Sequence, residues 1–387
     1  MLRLHHRKAR AILAALAPAM LAPVPETRAG VINPNISIVG QPFTRWTDDA
    51  GDPALKRAVL DAGETEIVFD DYLNPYARGF FTLAFGAEGA EVEEGFFTLL
   101  RGLPGGLALK GGKYRAGFGK LNPVHPHAYP FAERFRVLAA YLPGDEAFNE
   151  TGAQLSARLP LPGDWAVTAS ADWLKGDSFR IAREFDPLSI TDPLVADPDA
   201  DRPGEPRPGV LGRLSAFAPI GDRSGLELGL SAVQGTNNVA AATRTTVMGG
   251  DVKLKYWTSP NAYLLVQGEV VRLDRDEAGW DEPAAAYTKG ALKTSGGYLY
   301  ADYNFRIRYN LGASYERFQE PTPDKISHQA FGAYVGLALL EETTAFRLDW
   351  NRFMPGTPPG ASTSPDAVNT VTLRVIYSMG PHKAHQF

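Results

Sequence analysis

Apolar and polar residues alternate along most of this chain in stretches of about ten, the period of two that turns successive side chains of a β-strand to opposite faces. Between Asp164 and Asp172, Trp165, Val167, Ala169 and Ala171 fall on one face, and Asp164, Thr168, Ser170 and Asp172 on the other. Val252, Leu254 and Tyr256 alternate in the same way with Asp251, Lys253 and Lys255. Ile307, Tyr309, Leu311, Ala313 and Tyr315 alternate with Arg306, Arg308, Asn310 and Ser314, and Val371, Leu373, Val375 and Tyr377 with Thr370, Thr372, Arg374 and Ser378. The pattern predicts strands near 36–46, 64–73, 75–87, 90–102, 105–118, 150–161, 164–175, 208–220, 224–235, 245–257, 260–273, 290–304, 306–318, 327–339, 342–354 and 367–379.

The connections sort by parity. Those after even-numbered strands are tight, among them Leu103-Pro104, Pro162-Gly163 and Gly221-Asp222-Arg223. Those after odd-numbered strands are mostly long: 47–63, 119–149, 176–207, 236–244, 274–289, 319–326 and 355–366, with Glu88-Gly89 the exception. Short turns on one rim and long loops on the other mark an outer-membrane barrel. The expected fold is therefore all-β: an antiparallel transmembrane β-barrel of about 16 strands, with short periplasmic turns, long external loops and a wet inner face. A soluble sandwich would alternate too, but its turns need not sort by parity. Trp165, Trp173, Tyr256, Trp257, Trp350 and Tyr377 near strand ends fit interfacial girdles, and Gly111-Gly112 marks a β-bulge in the fifth strand.

Mean hydropathy is −0.19, and no run past the N-terminus approaches the roughly 18 apolar residues of a membrane helix. A barrel needs no such run, because only alternate residues meet lipid. Residues 1–29 read as a signal peptide, with Arg3, Arg7, Lys8 and Arg10 before the apolar stretch Ala11–Ala22 and Ala29 as the preferred cleavage point (Ala19 the alternative); 30–387 would be the barrel. Cleavage there removes five basic residues and one acidic residue, leaving 34 Lys and Arg against 43 Asp and Glu. That balance argues against nucleic acid as a partner. The absence of cysteine excludes disulfides, thiolate metal centres and cysteine nucleophiles.

The candidate chemistry lies in the lumen. Strand alternation turns Lys113, Arg115, Arg213, Lys253, Lys255, Arg306, Arg308, Arg347 and Arg374 inward, with Asp172, Glu227, Asp251, Glu269, Glu316 and Asp349. Mixed signs suit a general channel with a transverse field better than a single-sign filter. The loop 119–149 follows the fifth strand, the position from which a porin loop folds inward to narrow the pore, and its candidates are His125, His127, Arg134, Arg136, Asp145 and Glu146. His125 and His127 raise a metal question, with Asp145, Glu146 and Glu150 as no more than candidates for completing a site; packing and hydrogen bonding explain the pair more simply, so no metal or cofactor is assigned. No Gly-x-Ser-x-Gly, His-Glu-x-x-His or phosphate-loop motif appears, and no enzyme is expected.

Three segments carry a family resemblance: Asn33–Gly40 (NPNISIVG), Gly111–His127 (GGKYRAGFGKLNPVHPH) and Gly380–Phe387 (GPHKAHQF). They resemble an uncharacterised porin-like family of Gram-negative outer-membrane proteins, loosely similar to the phosphate-selective porins. Some of its members are labelled zinc-regulated TonB-dependent receptors. The resemblance implies an outer-membrane channel in contact with lipid and lipopolysaccharide, with Phe387 as the terminal aromatic read by the barrel-assembly machinery. Two departures matter. A TonB-dependent receptor pairs a roughly 22-stranded barrel with a plug, more than the 358 residues after Ala29 supply. Phosphate selectivity implies inward arginine ladders, whereas this lumen is mixed. The expected function is passive diffusion of small hydrophilic solutes or ions, in a homotrimer by analogy. The alternative is a non-conducting barrel that binds a ligand or metal through its loops.

Overall fold

The computed structural model describes residues 34–380 apart from 88, 145–146, 162–163, 181–204, 282–285 and 341–342. The expected signal segment 1–29, Asp145, Glu146 and Phe387 lie outside the described residues.

The chain closes into a 16-stranded antiparallel barrel. β1 runs in two segments, Asn35–Gly40 and Phe43–Thr47, and β2 in two, Val59–Asp61 and Thr65–Asn74. There follow β3 (Ala77–Gly86), β4 (Gly89–Leu99), β5 (Leu107–Arg115), β6 (Asn149–Pro160), β7 (Ala166–Leu174) and β8 (Gly209–Ile220). The wall continues through β9 (Ser224–Asn238), β10 (Thr243–Ser259), β11 (Ala262–Asp281) and β12 (Ala286–Phe305). It ends with β13 (Tyr309–Gln319), β14 (Ser327–Leu340), β15 (Thr344–Met354) and β16 (Val368–Met379). Consecutive strands pair, and β1 closes the circle against both β2 and β16, as in Ile38↔Ile67 and Ile38↔Met379. Closure pairs the strand edges that an open sheet would leave unsatisfied.

β1 breaks at Gln41-Pro42 because proline has no N–H to donate to the ladder. The seam is patched there by Gln41 N donating to Glu64 O and Val375 N to Pro42 O, at 3.1 and 2.9 Å. The outer wall is apolar: Leu230 is 65% exposed, Val270 68% and Leu299 50%. A belt so exposed suits hydrocarbon, not water.

Three local expectations change. The register runs unbroken through Gly111 and Gly112, and the bulge lies instead at Glu93, where Thr82 opposes Glu94 and Leu83 opposes Val92. Gly112 holds φ at +135°, and a Cβ there would meet Gly95 O at 2.2 Å, so close strand approach accounts for that glycine. The expected loops 236–244 and 274–289 are largely strand, and β11 and β12 reach 20 residues each, about twice a membrane crossing. Polar residues on both faces hid these ladders: in β11 Arg275 and Glu277 are buried on one face while Asp276 is exposed on the other, so no apolar–polar alternation marks the strand.

The inner face is only partly wet. Residues 116–144 and 147–148, between β5 and β6, fold into the barrel, with a 3-10 turn (Pro126–Ala128) and a short helix, α1 (Arg136–Tyr141). Their Phe118, Leu121, Tyr129, Phe131, Phe135, Leu138 and Phe148 pack against Leu265, Tyr298, Tyr300, Phe318, Tyr334 and Phe353 of the wall. The apolar core of this protein therefore sits in the lumen, around the loop.

Candidate functional site

The inward loop is held mainly by charged side chains of the wall, on three sides. Towards β9–β12, Glu269 accepts the backbone N–H groups of Lys120 and Leu121, both at 2.8 Å, and the Tyr298 hydroxyl at 2.6 Å. Gly119 N donates to Ser231 Oγ at 3.2 Å, and Lys120 pairs with Glu227. Asp251 takes both guanidinium nitrogens of Arg213, at 2.7 and 3.0 Å. Burial lowers the Lys120 ammonium to about 8, helped by the neighbouring positive charge of Arg213.

On the side of β13–β16, Arg347 donates to the carbonyls of His127 (2.9 Å) and Tyr129, and Arg374 to those of Pro126 (3.4 Å) and Ala132. Arg136 at the start of α1 pairs with Glu316 at 3.0 Å, and Asp349 takes the backbone of Ala132. Within the loop, Asn122 donates to Ala116 O (2.8 Å) and Phe148 O (3.0 Å) and accepts from Phe148 N and Arg134, each at 3.0 Å. One side chain thus ties the loop's two ends together. Burial pushes the Arg134 guanidinium below its ordinary value.

Towards β2 and β4 stands the densest cluster. His125 Nδ1 lies 3.1 Å from Glu66 Oε2 and 3.2 Å from Glu93 Oε2, while Nε2 lies 2.8 Å from Glu94 Oε2. His127 Nδ1 meets the other Glu66 oxygen at 3.0 Å. Arg115 donates to Glu93 Oε1 at 2.9 Å through Nε and to Val124 O at 3.2 Å. All six side chains are buried, and one donor atom from each of Glu66, His125 and His127 falls within 4.8 Å of the others. Burial pulls the His125 imidazole down, but the Glu66 charge and hydrogen bonds with Glu66, Glu93 and Glu94 outweigh it, holding the ring well above the ordinary histidine value.

Most of the predicted inner charges are therefore inward and in use. Arg213, Arg347, Arg374, Asp251, Glu269, Glu316 and Asp349 grip the loop or one another, Lys253 and Lys255 face in from β10, and Asp172 accepts from Tyr114 at 2.8 Å. Three expectations are corrected. Lys113 pairs with Gly95 on the outer side of the ladder, where its ammonium reaches Val92 O at 2.7 Å. Arg306 and Arg308 are not rungs of a strand: Phe305 pairs with Tyr309, and 306–308 form the turn, with positive φ at Arg306 and Ile307. Glu150 turns to Ser178 N at 3.0 Å, away from the histidines. The partners missed were Glu66, Glu93 and Glu94; the adjacent glutamates, which break the alternation of β4, were the available signal.

Below the loop, on the short-turn side, a cavity of about 560 Å³ is lined by Lys255, Arg308, Arg347 and Asp302, with His127 and Pro130 of the loop also exposed to it. A larger concavity of about 1360 Å³ involves Leu214, Leu230, Val270 and Leu299, whose exposed side chains place it on the lipid-facing wall.

No protein-family model matches the chain. An uncharacterized protein of Aquifex aeolicus (strain VF5) is 29% identical over 254 residues, 63% of this chain and 51% of that protein, so the chain spans about half the length of the curated relative it matches. The anion-selective porin from Comamonas acidovorans superposes with a TM-score of 0.55 at 11% identity, over 89% of this chain and 98% of that one. The outer membrane channel DcaP of Acinetobacter baumannii gives 0.55 at 9%, over 92% and 100%. Pseudomonas putida OprB gives 0.54 at 10%, over 89% and 93%. At these identities the likeness is one of fold: this chain has the barrel architecture of outer-membrane porins.

Proposed function

We propose that this protein is an outer-membrane channel for passive diffusion of small hydrophilic solutes or ions, and not an enzyme. The observation that carries this reading is the loop segment 116–144, folded into a 16-stranded barrel and gripped there by wall charges. Such a loop narrows a water-filled lumen and sets what passes, and the charges beside it tune ion preference. At the short-turn mouth Lys255, Arg308 and Arg347 face one carboxylate, Asp302, which supports a modest preference for anions. The resemblance to phosphate-selective porins points the same way, although the mixed lumen argues for a broader solute range. Contact with lipid and lipopolysaccharide, recognition of Phe387 by the assembly machinery and a homotrimeric state belong to the same proposal.

The second reading, a barrel stoppered by its own loop, draws on the aromatic core that fills the lumen around Phe131 and Phe135. Single-channel recording of the refolded mature protein, with reversal potential in a salt gradient, separates the two. Discrete steps with anion-leaning reversal support the channel; silence from a folded barrel favours the stopper.

A further inference from the structure

We propose that Glu66, Glu93, His125 and His127 form a binding site for a single divalent transition-metal ion, fastening the inward loop to the wall. The donor set comes first. Two imidazoles with carboxylates suit zinc, cobalt, manganese or iron, whereas calcium and magnesium take oxygen.

Spacing comes second. Donors bonded to one such ion at roughly 2.0–2.2 Å stand about 3.3 Å apart in a tetrahedron. Here His125 Nδ1 is 3.1 Å from Glu66 Oε2 and 3.2 Å from Glu93 Oε2, and His127 Nδ1 is 3.0 Å from Glu66 Oε1.

Third, one proton is asked to do two jobs. Oε2 of Glu66 and Oε2 of Glu93 both crowd the single Nδ1–H of His125, at 3.1 and 3.2 Å, so two buried carboxylates share one proton. A cation replacing that proton would meet both at once. It would also offset the carboxylates gathered here: Glu66, Glu93 and Glu94 are buried, and Glu64 lies within reach of Glu66 and Glu93. Buried charges need such partners.

The surroundings orient the ligands as a metal site requires. Glu94 takes Nε2–H of His125 at 2.8 Å, which fixes the ring with Nδ1 facing Glu66 and Glu93. Arg115 holds the outer oxygen of Glu93, and Arg347 holds the carbonyl of His127. Metal-bound histidines regularly give their second N–H to a carboxylate in this manner.

The site goes beyond the channel reading, since a stoppered barrel would bind metal equally well. The test uses the full mature protein, extracted in detergent, stripped with chelator and titrated with Co²⁺ while its visible ligand-field bands are followed. One ion per chain is expected, with intense bands typical of low coordination number that zinc displaces. Glu66→Gln and His127→Gln should each weaken binding at least by the roughly 10–100-fold that loss of a mere outer partner costs. Lys293→Ala, which removes a remote exposed pair with Asp274, should leave it unchanged. Should either ligand variant fail to assemble, as heat-modifiable migration would show, X-ray absorption of the zinc-loaded wild type still reads imidazole scattering. Absence of binding by folded wild type, equal binding by both variants, or a zinc shell without imidazole would overturn the proposal and leave the cluster a proton-bridged latch.

Discussion

Nδ1 of His127 and Oε1 of Glu66 stand 3.0 Å apart although 61 residues separate them in the chain. The contact joins the loop to the second strand of the wall, and it typifies this lumen: charges that alternation marks as pore-lining hold an inward segment in place. The variants below ask how firmly.

Glu269 is the acceptor for three buried donors, Lys120 N, Leu121 N and the Tyr298 hydroxyl. Glu269→Ala strands them at about 1–3 kcal/mol each. The loop should loosen, with larger and noisier conductance steps and a lower temperature for the heat-modified band shift. Glu269→Gln keeps an acceptor and should behave much closer to wild type.

Phe135 stacks on Tyr298 with ring centroids 4.0 Å apart and planes 13° from parallel. Phe135→Ala removes that pair and opens a hole in the lumen core, at about 3–5 kcal/mol. Conductance should rise while the barrel still assembles, because the ladder of backbone hydrogen bonds is untouched. Unchanged conductance would mean that α1 does not border the solute path.

Lys255→Glu with Arg308→Glu reverses the charge balance of the short-turn mouth while leaving Arg347 to hold the loop. Reversal potential in a salt gradient should shift toward cation preference. A shift no larger than that of a distant surface charge change would place the selectivity elsewhere.

Lys120, lowered to about 8 by burial, should shed its proton as pH rises from 7 to 9. Because the charged form is the one lost, anion preference should fall across that window. In Lys120→Met the same titration should be flat.

The barrel was legible because lipid on one side imposes a period of two on every crossing. All sixteen crossings coincide with predicted strands to within a few residues, including the first, which Pro42 interrupts. Beyond the crossings the signal fades: the upper half of β11 carries Asp274 and Asp276 on one face and Arg275 and Glu277 on the other, and reads as loop. Within the site, alternation marked Glu269, Arg347 and Arg374 as inward but was silent on what they would face. It missed Glu93 for a local reason, since the bulge turns two successive glutamates to the same side.

The broken first strand has a mechanical consequence. At Gln41-Pro42 the closure of the cylinder is at its thinnest, yet from the inside one stretch of loop reaches both flanks of that join. His125 and His127 engage Glu66 on β2, while the carbonyls of Pro126 and Ala132 take Arg374 on β16. The loop is therefore a crossbar behind the seam, and pulling it out should unzip the cylinder between its first and last staves.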